Sequence, residues 1–296
     1  MWHGQRYPRW RSAGWLLIAA VLLTVVVLVS AAWRPGSAAP EPGGPTDGGS
    51  RWSSLDGTGA TVAVRVDEIV DTGHLMLVNR DHAVADEPVG PVVEAWPTVP
   101  VAGSVWLEES ALEAVGELFA AAREEGVGAL HVTSGYRDRT EQARIYAASD
   151  TAFAQPPGHS EHQTGLAVDI LPVGVSQSQM AASREGRWLA DNAWKHGLVL
   201  RYPDGKQDVT GIAYEPWHFR YVGQPHAWFC QDSGLSYEEY IRFLKDSGGY
   251  RTTVGGTTYS VLYQVPRDGI IFVPEGREYL VSGDNTGGYV VTVREP

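Results

Sequence analysis

Two short stretches of the sequence hold side chains of the types that can bind a metal and transfer protons. The first, residues 157–170, contains two histidines, two carboxylates and two glycines. Its second half alternates and predicts a strand, with Asp169 on the face opposite Val168 and Ile170. A carboxylate on an otherwise apolar strand is costly unless it is paired or bound to a metal. His162 is a natural partner for a zinc site, although such a pair in a core can also simply form a hydrogen bond.

The second stretch, residues 214–222, offers a third ligand and a free carboxylate. From Trp217 onward it predicts an aromatic strand that carries His218. On a straight strand Glu215 and His218 would face opposite sides, but the bend at Pro216 could bring both to one point. Three protein ligands that leave a fourth position for water are typical of hydrolytic zinc enzymes. Standing alone, the run could equally be a solvated glutamate and a histidine on a strand face.

Together these stretches resemble the VanY-type D-alanyl-D-alanine carboxypeptidases, zinc enzymes of bacterial cell-wall metabolism. The group also includes VanX and the Hedgehog amino-terminal fold. Four segments carry the resemblance, and they occur in the family's order: LVNRDH at 77–82, SGYRD at 134–138, SEHQTGLAVD at 160–169 and EPWH at 215–218. The resemblance covers about residues 70–245 and implies the family's α+β fold, an antiparallel sheet with flanking helices.

The resemblance implies one zinc ion (Zn2+) per chain, held by His162, Asp169 and His218. It also implies Glu215 as the general base that takes a proton from water and passes it to the leaving amine. Glu161 is the competing acid, but in an extended backbone its side chain would point away from the metal. We therefore expect Glu161→Gln to change little.

Three further residues match positions that act on the substrate in the family. The resemblance implies Arg137 as the stabiliser of the scissile carbonyl or oxyanion, since its guanidinium is always charged and donates two hydrogen bonds. The alternative for Arg137 is a surface ion pair with a neighbouring acid. Ser160 and Gln142 match positions that help bind the substrate's terminal peptide. Gly165 and Ala167 are consistent with a small pocket for a D-Ala side chain.

The implied substrate is a peptidoglycan stem peptide or precursor that ends in D-Ala-D-Ala. The D,D preference follows from the resemblance alone, because spacing does not encode stereochemistry. An L,D-carboxypeptidase or a wall endopeptidase would use the same zinc site, and a non-catalytic wall-binding module would keep the fold. Glu215 and Arg137 argue against that module, since binding alone requires neither. Activity on D-Ala-D-Lac and a role in vancomycin resistance stay open.

The composition of the chain limits the kinds of partner and cofactor site that it can have. The chain has 296 residues and a formal net charge of −12, which disfavours nucleic acid because phosphates repel it. One cysteine, Cys230, excludes an intramolecular disulfide framework and a cysteine-rich zinc site. No obligate protein partner is evident in the sequence.

The amino-terminal segment predicts a membrane anchor. Residues 1–12 carry three arginines and no acid, and residues 13–33 are uncharged and rich in Leu and Val, long enough to span a bilayer. The positive charges predict a cytoplasmic amino terminus, with the catalytic domain extracytoplasmic on a single-pass anchor in the cell membrane. Residues 34–60 are rich in Gly, Pro and Ser and predict a flexible linker. The alternative is a signal peptide cleaved near residues 37–39.

Beyond the linker the pattern predicts a catalytic domain at 61–249 and a β-rich appendage at 250–296. Apolar periodicity and capping residues predict four helices, over 108–125, 138–148, 184–196 and 236–246. Predicted strands include 61–66, 75–78, 130–133, 257–264, 269–273, 279–281 and 289–293. We expect the appendage to carry no catalytic group and to cover a sheet edge or border the cleft.

Overall fold

A computed structural model describes residues 60–84, 88–149 and 152–295. The predicted cytoplasmic segment 1–12, the anchor 13–33 and all but the last residue of the linker 34–60 lie outside these described residues. Within them, every helix is too short or too polar to cross a membrane.

The described residues form a mixed α+β structure. Its helices are α1 Glu109–Glu124, α2 Arg139–Ala148, α3 Gln177–Met180, α4 Arg184–Asn192, α5 Gln207–Thr210, α6 His226–Ser233 and α7 Tyr237–Ser247. Its strands are β1 Thr61–Arg65, β2 Val92–Glu94, β3 Trp106–Glu108, β4 Leu130–Ser134, β5 Ala167–Pro172, β6 Leu198–Leu200, β7 His218–Tyr221, β8 Gly249–Val254, β9 Thr257–Gln264, β10 Ile270–Pro274, β11 Tyr279–Gly283 and β12 Tyr289–Arg294.

Four antiparallel strands in the order β4-β5-β7-β6 form what we call the catalytic sheet. Val168, Ile170 and Phe219 on one face are fully buried and pack in one core with Leu118 and Phe119 of α1. Asp169 and His218 extend to the other face, as the alternation along β5 and β7 requires. The predicted α+β fold, an antiparallel sheet with flanking helices, is confirmed.

The predicted helices match the structure closely at their ends. α1 begins after Glu108, whose side chain accepts hydrogen bonds from the amides of Ser110 and Ala111. The predicted helix 184–196 is α-helical only to Asn192 and continues as a 3-10 turn to His196. Helix α6 is absent from the prediction, because its apolar side chains form no continuous stripe.

The carboxyl-terminal strands form a sheet of their own, in the order β11-β12-β9-β8, which we call the C-terminal sheet. Strand β10 pairs with β1, so the first strand of the predicted catalytic domain belongs structurally with the appendage. Val261, Tyr263 and Val290 pack with Tyr240 and Leu244 of α7 in one buried cluster. No described strand of 249–295 pairs with the catalytic sheet. Val199 of its edge strand β6 lies in the same buried cluster, and the expectation that the appendage covers a sheet edge or borders the cleft stays a prediction.

The segment predicted as a strand at 75–78 forms no regular strand. Its backbone contacts the appendage instead: the Leu75 amide donates to the Ser282 hydroxyl, and the Leu77 amide donates to the Asp284 carbonyl. This segment therefore lies between the C-terminal sheet and the catalytic domain.

Candidate active site

The register of the catalytic sheet brings two of the predicted ligands together. Asp169 of β5 lies directly opposite His218 of β7, the first residue of its strand. Directly paired residues on antiparallel strands present their side chains on the same face. As a result, His218 Nδ1 lies 3.1 Å from Asp169 Oδ1.

The third predicted ligand comes from the turn that leads into β5. His162 lies on a short 3-10 helix, Glu161–Thr164, which Gly165 ends with a left-handed φ of 81°. The His162 ring donates from Nδ1 to the Gly135 carbonyl at 2.7 Å, so Nε2 faces Asp169 Oδ1 at 3.5 Å. A glycine is required at position 135, because a Cβ there would lie 2.3 Å from the Trp106 carbonyl oxygen.

His162, Asp169 and His218 fit a zinc ion. One ligand atom from each lies within 4.8 Å of the others, and both imidazoles are buried. Asp169 Oδ1 is buried without a hydrogen-bond partner in the structure, an arrangement that is costly unless a cation compensates it. Two imidazoles and one carboxylate that leave a fourth position open are a donor set typical of catalytic zinc sites.

The charges at this cluster shift the titration of its members. Burial favours the neutral acid, but His162 and His218 outweigh it and hold the pKa of Asp169 well below its usual range. Burial and the nearby Arg137 lower the pKa of His162 to about 4. The pKa of His218 rises to about 9 despite burial, because Asp169 and Glu161 lie on opposite sides of its ring.

Glu215 reaches the cluster through a tight turn. The His218 amide donates to the Glu215 carbonyl at 3.1 Å, with Pro216 and Trp217 at the turn's centre. The two side chains therefore converge, and Glu215 Oε2 lies 3.7 Å from His218 Nδ1. Burial raises the pKa of Glu215 to about 7, although His218 opposes the shift. The bend expected at Pro216 is present in the structure.

Arg137 points into the same cleft from the end of β4. Its amide donates to the His162 carbonyl, and its side-chain Nε is buried without a partner. Burial lowers the pKa of Arg137, while Asp169 and other nearby acids oppose that shift and favour the charged guanidinium. The alternative of a surface ion pair is not favoured, because the neighbouring acids contact other groups: Asp138 caps α2, and Glu141 lies 3.7 Å from Arg144.

All seven predicted site residues border one cleft of about 600 Å³. Ser160 and Gln142 are buried in its wall, and the Gln142 amide donates to the backbone carbonyl of Gln155 at 2.7 Å. Gly165 and Ala167 are not among the residues that line the cleft. A Cβ on Gly165 would instead meet Val92 and Glu108. The residues around the cleft are Arg137, Gln142, Ile145, Ser149, Phe153, Ala154, Gln155, Ser160, His162, Asp169, Gln177, Ser178, Ala181, Tyr202, Ile212, Tyr214, Glu215, Pro216, Trp217 and His218.

The structure adds residues that the sequence analysis missed. The Tyr202 ring packs 4.9 Å from the His218 ring, centre to centre. Both polar atoms of the Gln155 side chain are buried without a partner beside Gln142. No local signal marks Tyr202 or Gln155, since one follows a short strand and the other lies in a proline-rich loop. Glu161, which we expected to point away from the metal, does not line the cleft. It is 1% exposed and faces the outer edge of the His218 ring, a contact that the sequence did not predict.

Comparison with known proteins agrees with this geometry. The family model described as VanY, D-alanyl-D-alanine carboxypeptidase, matches residues 104–224. A D-alanyl-D-alanine carboxypeptidase of Enterococcus faecium is 34% identical over 238 residues, which are 77% of this chain and 77% of that protein.

Two solved structures share both fold and sequence with the described residues. The vancomycin-resistance D,D-dipeptidase VanXYg, in complex with a D-Ala-D-Ala phosphinate analogue, superposes with a TM-score of 0.70 at 30% identity. The match covers 80% of this chain and 99% of VanXYg. The LD-carboxypeptidase LdcB superposes with a TM-score of 0.51 at 35% identity, covering 56% of this chain and 84% of LdcB.

Proposed function

We propose that this chain, which belongs to the VanY family of D-alanyl-D-alanine carboxypeptidases, removes the terminal D-Ala from peptidoglycan stem peptides or precursors. It is a zinc metallocarboxypeptidase of that family. The observation that carries the proposal is the convergence of His162, Asp169 and His218 beside Glu215 in one open cleft. Bound zinc would polarise the scissile carbonyl and acidify a water molecule.

Glu215 serves as the general base in this proposal. Its buried carboxylate has a pKa of about 7, so at neutral pH it can both accept a proton and return it. Its Oε2 lies on the cleft side of His218, next to the ligand atoms that would hold the metal. From there it can reach a water molecule that attacks the substrate carbonyl. The same oxygen can then deliver the proton to the leaving amine.

Arg137 stabilises the developing negative charge. Its guanidinium lines the cleft near Asp169 and Glu215, and its Nε has no partner within the described residues. A charged donor already aimed at the cleft need not reorganise when charge appears on the substrate carbonyl oxygen. That arrangement favours catalysis over simple binding of wall peptides.

Ser160, Gln142 and Gln155 bind the substrate's peptide end. The Gln142 amide nitrogen donates to the Gln155 carbonyl, which fixes the orientation of the side chain. Its Oε1 is then buried without a partner. It can accept a substrate N–H, and the Gln155 amide can donate to a carboxylate or carbonyl. Buried polar atoms without partners are rare, and a polar ligand would satisfy them.

The anchor and the location are also part of the proposal. Residues 13–33 hold the chain in the cell membrane, with the catalytic domain extracytoplasmic and residues 34–60 as its tether. The uncharged apolar run and the arginines before it support this arrangement. In spheroplasts, external protease should digest the domain, and the full chain should stay with membranes after a high-salt wash. A domain protected from external protease would contradict the proposed orientation.

Matched muropeptides test the substrate. The full chain in mild detergent would be incubated with pentapeptides ending in D-Ala-D-Ala, tetrapeptides with an L,D terminal bond, and D-Ala-D-Lac analogues, and products would be identified by mass spectrometry. Loss of one D-Ala from the pentapeptide alone supports the D,D assignment. Cleavage of the tetrapeptide alone would favour the second candidate, an L,D-carboxypeptidase, to which the similarity with LdcB points. Zinc binding without cleavage would favour a wall-binding module.

A further inference from the structure

Glu161 lies beside a metal ligand in the sequence but is held by two buried arginines. Its Oε1 accepts from Arg201 Nε at 2.7 Å and from Arg220 Nη1 at 3.1 Å. Both arginine side chains are fully buried, and Glu161 itself is 1% exposed. The carboxylate therefore cannot rotate freely, and the pKa of Glu161 is held well below its usual range by the two guanidinium groups, which outweigh its burial.

The cluster around Glu161 is balanced in charge and tied to the backbone. Arg201 also donates to both oxygens of Glu238 on α7, so two cations face two anions. Arg220 donates to the carbonyls of His74 and Met76. Burying four charges is often no more stabilising than burying apolar groups of the same shape. The placement of such a cluster beside the cleft therefore calls for a role other than stability.

The second oxygen of Glu161 points to that role. Oε2 has no hydrogen-bond partner in the structure and lies 3.6 Å from Nε2 of His218, which is equally unpaired and buried. The other nitrogen of that ring, Nδ1, lies 3.1 Å from Asp169 Oδ1 and faces the zinc ligands. A small closure between Glu161 and His218 would turn two unsatisfied atoms into one charge-assisted hydrogen bond.

The two histidine ligands need opposite tautomers. His162 donates from Nδ1 to the Gly135 carbonyl, which leaves Nε2 free. His218 must keep Nδ1 free, so its proton belongs on Nε2, where it needs an acceptor. A backbone carbonyl serves the first ring, and the facing atom available to the second is Glu161 Oε2.

We infer that Glu161 is a positioning residue: its Oε2 accepts the Nε2 proton of His218 and so keeps Nδ1 unprotonated and aimed at the metal. Arg201 and Arg220 fix the carboxylate in place from its other oxygen. This inference rests on the zinc site of the proposed function. It also reverses the sequence-based expectation that Glu161→Gln changes little.

Glu161→Gln should invert the tautomer. The single amide oxygen will stay with the two guanidinium donors, so the NH2 group will face His218 Nε2. An imidazole that accepts at Nε2 carries its proton on Nδ1, the atom the metal needs. We expect zinc affinity to fall about 10–100-fold, the usual effect of losing a ligand's outer hydrogen-bond partner.

Glu238→Gln is the matched control. It removes the same charge from the same buried cluster, but Glu238 contacts Arg201 and Asn79 rather than His218. Zinc affinity would be measured by competition with a chromophoric chelator on full-length folded protein, checked by circular dichroism. The inference predicts a large loss for Glu161→Gln and an affinity near wild type for Glu238→Gln. Equal losses in the two variants, or none in Glu161→Gln, would overturn it.

A measurement on the wild-type protein does not depend on either variant folding. Nitrogen-15 spectra of the zinc-loaded chain should show His218 bound through Nδ1, with its Nε2 proton retained and shifted downfield by a carboxylate hydrogen bond. Binding through Nε2, or an Nε2 proton without that shift, would overturn the inference while leaving the zinc site intact. A wild-type chain that fails to bind zinc would instead overturn the proposed function and the inference together.

Discussion

Polar side chains are buried both around the cleft and in the C-terminal sheet, but their partners differ. Asp284, fully buried next to β11, accepts from the amides of Thr286 and Gly288 and from the Tyr263 hydroxyl. Around β5 and β7, by contrast, Asp169, Arg137 and other cleft residues keep buried atoms without partners. Within the described residues 249–295 the structure leaves no buried side-chain polar atom unpaired.

This difference separates two uses of buried polarity. A buried polar atom left unpaired costs about 1–3 kcal/mol, so a fold keeps few of them without a ligand to satisfy them. The C-terminal sheet satisfies its polar atoms internally and gains stability, whereas the cleft leaves such atoms without internal partners, as the proposed function requires. We therefore expect substitutions in the two regions to affect different measurements.

The largest effect is expected for His218→Ala. Removing one of three ligands should abolish zinc binding and peptide cleavage together, beyond the ~10–100-fold loss caused by an outer hydrogen-bond partner. Zinc content by atomic absorption and turnover of a D-Ala-D-Ala peptide measure the two. His159→Ala is the control, because that ring lies near the ligand His162 in sequence but bonds to the Asn79 carbonyl. Retained zinc in His218→Ala would remove His218 from the ligand set.

Glu215→Gln should separate chemistry from metal binding. The variant keeps the side chain's size but loses its proton acceptor, so kcat should fall ~10²–10⁴-fold while zinc stays bound. In the wild type, kcat/KM should rise with pH through about 7 as Glu215 loses its proton, and the variant should lack this limb. Exposed Glu141→Gln is the control. Near-normal turnover in Glu215→Gln would move the base elsewhere.

Asp284→Ala should affect stability alone. It leaves the Tyr263 hydroxyl and the Gly288 amide buried without their acceptor, so the free energy of unfolding should fall by about 3 kcal/mol. Urea unfolding measures this loss, with exposed Glu275→Ala as the control. Zinc affinity and kcat of the folded variant should match the wild type. A fall in either would show that the C-terminal sheet shapes the cleft, which would weaken the contrast between the regions.

A pH dependence of stability is expected where helices α6 and α7 pack on strand β12 of the C-terminal sheet. His226 lies between the Tyr240 and Thr292 hydroxyls, and burial lowers its pKa to about 3. The unfolded chain takes up this proton near pH 6.5, so the contribution is complete above that pH and declines toward pH 3, by about 1.4 kcal/mol per pH unit. His226→Gln should reduce the slope of unfolding free energy against pH, with the parts due to half-buried His74 and to His162 remaining. An unchanged slope would contradict this assignment.

The sequence by itself determined the elements and the chemistry of the site. Period-2 alternation places Asp169 opposite the buried face of β5, and apolar spacing with caps defines α1 and α7. The residue types alone left a core hydrogen bond or a solvated glutamate open, and the motif residues could be chosen because four segments resemble those of one zinc-enzyme family in the same order. These are local signals, readable within about a dozen residues.

Tertiary structure alone decided how distant segments meet. Three features depend on contacts between residues far apart in sequence. They are the register that sets Asp169 beside His218, the β1–β10 pairing, and the presence of Gln155 and Tyr202 in the cleft wall. Glu161 shows the reason most clearly. An extended backbone predicted a side chain that points away from the metal with no role at the site. The backbone forms a 3-10 turn instead, and the buried side chain meets two arginines, one following β6 and one in β7, that compensate its charge. A local pattern cannot encode that compensation, because the arginines reach Glu161 only after the sheet has formed.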